Sequence, residues 1–366
     1  MIKDRGQKKL AVRYCAAQGI VPFAEVLVRS STSLEEAPLN ITDIDVLGIQ
    51  IGHFGAARRI LFDCKTANKQ SGINRALWVS GLRHLVLAEA GLIIQAKAVP
   101  DTHRLAASAM GINIHTEDSF RRYAVSLSPD FEKDISYLDD MDRWDELMLV
   151  GRQIPQLADL AFFVGTQAAL ERSGPKGLRI GLSAILRAAG ELDPGKPVHR
   201  MLFGCVLSAF LLHIAMAVTS LKDVFDFSMP KQEFERRLRY FLWEGRENYE
   251  LRLKLRRALS ERGNTPGDGG AEFDLPQWSK LIELIRGYLE APEALAQLAF
   301  IAKEIAFRSA APAIKADADA RIRKLFSINN RARQFIFSAL NYLTLAGGLP
   351  REFNRHFEAG INELVG

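Results

Sequence analysis

Cysteine is scarce in this chain of 366 residues, and several familiar catalytic motifs are missing. The three cysteines, Cys15, Cys64 and Cys205, lie far apart with no CxxC spacing, which argues against a disulfide framework or a zinc site and fits a reducing cytosol. The chain has no GxxxxGK[ST], no GxGxxG and no GxSxG, so it supplies neither a nucleotide-driven motor nor a nucleophile elbow. Its net charge of +5 permits a polyanionic partner without requiring one.

Long uncharged runs are also rare. The longest, "MLFGCVLSAFLLHIAMAVT" at 201–219, reaches the length that can span a bilayer. It contains Gly204, Ser208 and His213, has no clear aromatic belt, and lies among amphipathic helices, so we expect a buried central helix rather than a membrane span. The charged N-terminal stretch is followed by no apolar run of the secretory kind. We therefore expect a cytoplasmic protein with no membrane partner.

The order of the predicted elements divides the chain in two. A helix at 4–19 precedes three strands within 21–65, and then come a helix, a strand, a helix and a strand that end near Phe120. This order predicts an α/β domain at 1–125 with a central mixed sheet flanked by helices. Beyond it, 126–366 reads as an all-α domain, with a candidate subdomain break in the Gly/Pro-rich stretch at 261–276.

Acidic residues interrupt the apolar strands of the α/β part. "ITDIDVLGIQI" and "RRILFDCKT" are close enough in sequence to form an antiparallel hairpin that turns near residues 54 and 55. Facing residues then have numbers that sum to roughly 108–110, so Asp45 lies opposite Asp63 to Lys65. Since side chains alternate across a strand, Asp63 and Lys65 share one face and Cys64 points away.

Two carboxylates on a half-buried sheet repel each other unless a cation joins them. Mg²⁺ takes one or two carboxylates together with water and phosphate oxygens, and a lysine beside it can stabilise charge that develops on a phosphodiester. The pattern thus indicates phosphodiester hydrolysis with Asp45, Asp63 and Lys65 as catalytic residues. For an isolated DxK the competing interpretation is a structural Asp–Lys pair at the end of a sheet.

The pair "DIDVLG" and "ILFDCKT" resembles the signature of the PD-(D/E)xK nuclease superfamily, and more narrowly that of Mrr-type restriction endonuclease domains. The resemblance covers about residues 4–120, where the order of elements is also similar. It implies a restriction-endonuclease-like core, Mg²⁺ or Mn²⁺ as cofactor, and cleavage of DNA or, as the alternative, RNA. It also implies Asp45, Asp63 and the backbone carbonyl of Cys64 as metal ligands and Lys65 as the catalytic lysine.

The first helix departs from this pattern. Many members of the superfamily place a glutamate there, whereas this chain reads "GQKKLAV" with Lys8 and Lys9. Either Glu25 substitutes from the first strand or the site has one carboxylate fewer. Asp43 is a further acidic candidate, and Thr66 is a candidate phosphate contact whose alternative role is that of an ordinary strand-end threonine.

In the helical part, "RIRKLFSINNRARQF" at 321–335 carries five cations and no acid. It supplies the nucleic-acid contact candidates Arg321, Arg323, Lys324, Arg331 and Arg333, or alternatively a surface for an acidic partner protein. We therefore expect a DNA endonuclease of a bacterial defence system whose helical domain recognises substrate, a protein partner or a second copy of the chain. The alternative is a weakly active or inactive nuclease-like fold that serves as a nucleic-acid-binding or assembly subunit.

Overall fold

The computed structural model describes residues 2–30, 39–52, 57–66, 71–226, 228–261 and 273–365, with the side chains of 260 and 261 left aside. The first part of the chain forms one five-stranded mixed sheet flanked by helices. Its elements are α1 (Arg5–Ala17), β1 (Val21–Arg29), β2 (Asn40–Ile51), β3 (Ala57–Lys65), α2 (Gly72–Leu85), β4 (Ala90–Gln95), α3 (Asp101–Ala109), β5 (Ile112–Thr116) and α4 (Glu117–Leu127). The expected mixed sheet and flanking helices are confirmed.

The strands follow one another across the sheet in chain order, β1-β2-β3-β4-β5. The pairs β1–β2 and β2–β3 are antiparallel, whereas β3–β4 and β4–β5 are parallel and connected through α2 and α3. The observed pairing of Val46 with Phe62 lies at the lower end of the predicted hairpin register. The predicted turn at 54 and 55 lies outside the described residues.

Local sequence explains several helix boundaries in this part. Ser71 caps α2, because its hydroxyl accepts a hydrogen bond from the backbone N–H of Asn74. Thr116 and Ser119 form a reciprocal capping box at the start of α4. On the sheet face that carries Phe62, Tyr14 of α1 packs edge-on against the Phe62 ring with centroids 5.6 Å apart.

After Thr116 the described residues contain helices and no β-strand. The α-helices are α5 (Met141–Gln153), α6 (Ala158–Phe162), α7 (Ala168–Leu170), α8 (Gly174–Ala188), α9 (Pro197–Leu221), α10 (Lys231–Leu242), α11 (Arg246–Glu261), α12 (Trp278–Leu289), α13 (Leu298–Arg308), α14 (Ala316–Ile328), α15 (Ala332–Gly347) and α16 (Glu352–Val365). A π-helical turn at Phe163–Gln167 joins α6 to α7, and short 3₁₀ turns lie at Pro129–Glu132, Pro155–Leu157, Ala189–Glu191 and Pro292–Leu295.

The helix α9 contains the uncharged run and is the core of the helical part. In the described part of the chain it is the one helix long and apolar enough to span a membrane, and its apolar stretch is entirely buried within the protein. Helix α8 packs so closely on it that a Cβ atom at Gly177 would lie 2.3 Å from the His213 ring. This burial agrees with the expected central helix and is typical of the core of a soluble protein.

The chain at 231–261 forms two helices rather than one. Its helical sequence pattern runs through this stretch without interruption, but α10 ends at Leu242 and α11 begins at Arg246. Between them Glu244 and Gly245 have φ angles of 59° and 125°. A right-handed helix cannot continue through positive φ values, so the chain turns here.

Candidate active site

The acidic residues lie where β2 separates from β3. Pairing between the two strands is last seen at Val46 and Phe62, one residue before Asp45 and Asp63 would face each other. Beyond that point β3 stays paired with β4 as far as Lys65. The Asp45 carboxylate enters the gap, where its Oδ2 accepts a hydrogen bond of 2.7 Å from the backbone N–H of Cys64. We call this place, formed by Asp45, Asp63, Cys64 and Lys65, the strand fork.

Most of the strand fork is buried. Asp45 and Asp63 are 5% and 7% exposed, Cys64 is fully buried, and Lys65 is half-buried at the strand end. Ionised carboxylates lose hydration when buried, so each needs a charged or hydrogen-bonding partner. The partners come from α1 and α2.

Helix α1 supplies a lysine to the fork. The Lys8 side chain is 2% exposed, and its Nζ lies 2.9 Å from Asp45 Oδ1 and forms a second ion pair with Glu25. Burial alone would lower the pKa of Lys8, but the pairing with Asp45 and Glu25 raises it overall. Lys8 therefore stays charged and holds two carboxylates together from the position where the superfamily pattern expects an acid.

Glu25 has an unusual backbone. It lies within β1 with a φ of 55°, a left-handed conformation that is rare for a non-glycine residue in a strand. Burial raises the pKa of Glu25, while the Lys8 ammonium opposes that rise. Such conformations persist only where the surroundings impose them, and they cluster at functional sites. Glu25, the candidate substitute for the missing helix carboxylate, thus lies beside Lys8, which also pairs with Asp45. Asp43 is exposed on β2.

Helix α2 supplies an arginine. Arg75 Nε donates a 2.6 Å hydrogen bond to Asp63 Oδ2, and its Nη2 donates to Oδ1, so the guanidinium binds both carboxylate oxygens. Burial raises the pKa of Asp63, and the Arg75 guanidinium acts against that rise. Bidentate pairs of this kind are among the stronger charged hydrogen bonds.

Thr66 is held by α1. Its backbone N–H donates a 2.9 Å hydrogen bond to Asp4 Oδ1, and its hydroxyl donates to Gln7 Oε1 over 3.2 Å. Those contacts fasten the end of β3 to the start of α1.

The donor set fits Mg²⁺ in residue type and number. Two carboxylates and the Cys64 carbonyl are oxygen ligands, and Mg²⁺ commonly takes one or two carboxylates and completes its shell with water and phosphate. Within the described residues no three His, Cys, Asp or Glu side chains are grouped closely enough to hold a metal on their own. The four Asp oxygens each have a protein donor, so a metal would have to displace Arg75 and part of the Lys8 contact.

A cavity of about 370 Å³ opens beside Glu25 and Asp43. Its far wall comes from the helical part, including Arg152 of α5 and Thr166 of the π-helical turn. Thr166 Oγ1 accepts a 3.3 Å hydrogen bond from the backbone N–H of Leu27, which attaches this wall to β1. π-helical turns are frequent at functional sites, and this one shapes the groove next to the acidic residues.

The five basic candidates at 321–335 do not share one environment. Arg321 is turned inward: its guanidinium donates to the carbonyl of Ala16, lies 3.7 Å from Glu304 and stacks over Phe300. The side chains of Arg323, Lys324, Arg331 and Arg333 are exposed. Arg321 therefore holds α14 against α1, and the other four remain surface candidates for phosphate.

The sequence did not indicate the two cations that pair with the acids of the strand fork. Lys8 was noticed only as a departure from the superfamily pattern, and Arg75 was not singled out. A buried ammonium could have been expected for Lys8, because it occupies the helix position that faces the acids. Arg75 gave no signal, since one arginine in the first turn of an amphipathic helix is ordinary.

Comparison with protein-family models, with curated proteins and with solved structures found no match to this chain. Any assignment of function therefore depends on the strand fork itself.

Proposed function

We propose that the α/β part is a metal-dependent nuclease of the PD-(D/E)xK class that cleaves DNA, with RNA as the alternative substrate. The observation that carries the proposal is the register of β2 and β3, whose continuation by one residue would set Asp45 opposite Asp63, two residues before Lys65 on β3. The mixed sheet and the order of its elements favour the same class. Charge at the fork is balanced in this state by Lys8 and Arg75.

Each residue of the fork has a distinct task under this proposal. Asp45, Asp63 and the Cys64 carbonyl would hold Mg²⁺, which when bound lowers the pKa of a coordinated water and neutralises phosphate charge. Lys65 projects from the same face as Asp63 and donates to the attacking water or to the developing negative charge. Arg75, once released from Asp63, provides a planar set of N–H donors that can bind two oxygens of a phosphate.

A second candidate function is favoured by the same ion pairs. Lys8 and Arg75 satisfy the carboxylates so completely that the fork is stable without a metal. In that case the domain is an inactive nuclease-like fold that binds nucleic acid or assembles with a partner. The catalytic and the binding functions differ in their need for a metal, so they can be separated by experiment.

The helical part would recognise the substrate or partner in either case. Arg323, Lys324, Arg331 and Arg333 supply exposed cations for a phosphate backbone or an acidic protein. A second copy of the chain is an alternative partner. We place the protein in the bacterial cytoplasm, in defence against foreign DNA.

The test is cleavage of supercoiled plasmid, linear duplex, single-stranded DNA and RNA with Mg²⁺, Mn²⁺ or EDTA. We expect metal-dependent cutting that falls roughly 100-fold or more in Asp63→Asn and in Lys65→Ala. Lys97→Ala, which removes an exposed lysine shortly after β4, is the matched control and should cut normally.

Two other results distinguish the alternatives. Nucleic-acid binding without cutting, unchanged by EDTA and by Asp63→Asn, would favour the binding function over the nuclease. If neither cutting nor binding occurs with any of these substrates, both functions are excluded for the chain by itself. Cutting that Lys65→Ala leaves intact would remove the strand fork as the active site.

A further inference from the structure

A second cavity lies at the opposite end of β3, where the sheet meets the helical part. Its volume is about 620 Å³, within the range of small-molecule sites. The residues that line it and matter here are Arg59 of β3, Arg172 and Ser173 before α8, Pro175 of α8, and Tyr240 and Phe241 of α10. Arg59 precedes Asp63 by four residues along the strand, so the cavity is roughly 13 Å from the strand fork.

Arg59 brings a buried positive charge to this cavity. The residue is 5% exposed, and its Nε and Nη2 donate to the backbone carbonyls of Ala169 and Glu171 over 3.3 and 3.0 Å. Among the described residues no carboxylate forms an ion pair with it. Burying a charged guanidinium costs free energy, and neutral carbonyl groups offset only a small part of that cost.

Arg172 brings a second guanidinium from the exposed side. Its Nη2 donates to the carbonyl of Leu85 over 3.3 Å, and within the described part of the chain it too has no carboxylate partner. Both guanidinium groups line the same cavity. Burial lowers the pKa of Arg59 and the Arg172 charge lowers it further, while Glu171 opposes this with a smaller effect. Two like charges directed at one cavity are stabilised when an anion lies between them.

The carboxylates near the cavity already pair with other basic side chains. Glu171 accepts hydrogen bonds of 2.9 Å from the backbone N–H groups of Arg172 and Ser173, and it pairs with Lys176 at 2.8 Å. Glu244, which lines the cavity, pairs with Arg179 at 2.8 Å. Each of these acids thus has a cation of its own. Glu171 also attracts the Arg59 charge, so the charges of Arg59 and Arg172 are partly but not fully compensated.

The rest of the wall is apolar and partly aromatic. Tyr240 and Phe241 lie at the end of α10, and Pro175 and Met216 lie across from them. Aromatic side chains bind planar rings by stacking, and arginine pairs bind phosphate oxygens with two hydrogen bonds each. A ligand that binds both the arginine pair and the aromatic wall has a phosphate and a planar ring.

We infer that this cavity binds a nucleotide, with its phosphate between Arg59 and Arg172 and its base against Tyr240 and Phe241. The inference is independent of the nuclease proposal, because none of these residues belongs to the strand fork. It gives the chain a small-molecule site that the motifs of the sequence did not indicate.

The test measures binding of AMP, GMP, CMP and UMP by calorimetry and by the rise in melting temperature, with adenosine and inorganic phosphate as partial ligands. We expect at least one nucleotide to bind and both partial ligands to bind at least tenfold more weakly. Arg172→Ala should weaken nucleotide binding roughly tenfold through loss of a charged hydrogen bond. Tyr240→Leu should weaken it about fivefold through loss of stacking.

Arg172 is exposed, so its removal tests the site without the risk to folding that Arg59→Met carries. Arg355→Ala, which removes an exposed arginine of α16, is the matched control and should bind as the wild type does. Lys65→Ala should also bind normally, which separates this site from the strand fork. The inference is overturned if no nucleotide binds, if inorganic phosphate binds as tightly as the nucleotides, or if Arg172→Ala leaves the affinity unchanged.

Discussion

Two groups of buried charges in this protein are stabilised in different ways. At the strand fork, Asp45 and Asp63 each face a cation, Lys8 and Arg75. In α13 the neighbouring residues Lys303 and Glu304 are 2% and 0% exposed. Lys303 is satisfied by neutral groups, and Glu304 mainly so, with Arg321 3.7 Å away. The first group is thus a balanced charge cluster, whereas the second depends mostly on uncharged partners.

The contacts of α13 reach both β1 of the sheet and the segment before α5. Lys303 Nζ donates a 2.6 Å hydrogen bond to the carbonyl of Pro22 in β1 and lies 3.7 Å from the centre of the Phe23 ring. Glu304 accepts hydrogen bonds of 2.6 Å from the Ser136 hydroxyl and 2.9 Å from the backbone N–H of Tyr137. Burial lowers the pKa of Lys303 to about 8 and raises that of Glu304 to about 7.

The difference indicates a difference of role. Oppositely charged side chains can exchange partners with a metal or a phosphate without leaving an unpaired buried charge, because the charge balance is kept. Charges enclosed at a packing interface with neutral donors and acceptors have no such freedom, and they fix geometry instead. We therefore assign chemistry to the strand fork and attachment to Lys303 and Glu304.

The largest effect is expected from Lys8→Glu, which replaces the cation of the strand fork with a third carboxylate beside Asp45 and Glu25. In EDTA the variant should lose about 3–5 kcal/mol of unfolding free energy, since buried like charges are left without a partner. Adding Mg²⁺ should restore part of the loss, because the metal binds only the folded state. The free energy of unfolding is measured by urea titration with and without Mg²⁺.

The control for this variant is Lys9→Glu, which makes the same charge change at an exposed neighbour and should cost under about 1 kcal/mol. If Lys8→Glu is as stable as the wild type in EDTA, then Lys8 does not lie between the two acids. If the loss occurs but Mg²⁺ restores nothing, the fork is not a place for a metal even with three carboxylates.

A smaller and pH-dependent effect is expected from Glu304→Gln. The pKa of Glu304 is raised from 4.5 to about 7, so the folded protein binds this proton more tightly than the unfolded chain does. Its contribution to stability is therefore present at low pH and is lost as the pH rises from about 4.5 through about 7. Relative to the wild type, the variant should gain about 2–3 kcal/mol between pH 5 and pH 8.

Urea titrations at pH 5, 6, 7 and 8 measure this difference. Glu283→Gln, at an exposed carboxylate of α12, is the matched control and should change little with pH. If the free energy of unfolding of Glu304→Gln differs from that of the wild type by a constant amount over this pH range, Glu304 keeps an ordinary pKa in the folded protein.

Much of the sheet could be predicted from the sequence, because its signals are local. The alternation of apolar and polar residues in "ITDIDVLGIQI" and "RRILFDCKT" predicts two strands. The short connection between them predicts their register, and the observed pair Val46–Phe62 agrees with it. The helix break at Glu244 was not predicted, since the amphipathic pattern continues through it and only the backbone turns.

The environment of the candidate site was harder to predict than its acidic residues. The hairpin register and the alternation of side chains along a strand were enough to predict that Asp45, Asp63 and Lys65 lie close together. It gave no means of knowing that Arg75 reaches Asp63 from α2 or that Arg321 turns inward to Ala16, because both contacts depend on how helices pack. Long-range packing of charged side chains has no periodic signature along the chain.

The smallest effect is expected at a partly exposed ion-pair cluster, which gives a reference for the two buried groups. Arg5 of α1 pairs with Asp142 and with Asp145 of α5, the latter at 2.5 Å; the Arg5 side chain is 36% exposed and that of Asp145 is 10% exposed. Arg5→Ala should cost about 1 kcal/mol, because pairs that reach solvent are weak and the buried Asp145 keeps its hydrogen bond to the backbone N–H of Ile2. Urea titration should show this loss shrinking in 1 M NaCl, where exposed charges are screened. A loss of 3 kcal/mol or more, insensitive to salt, would instead place Arg5 with the buried charges and remove the contrast between enclosed and exposed pairs.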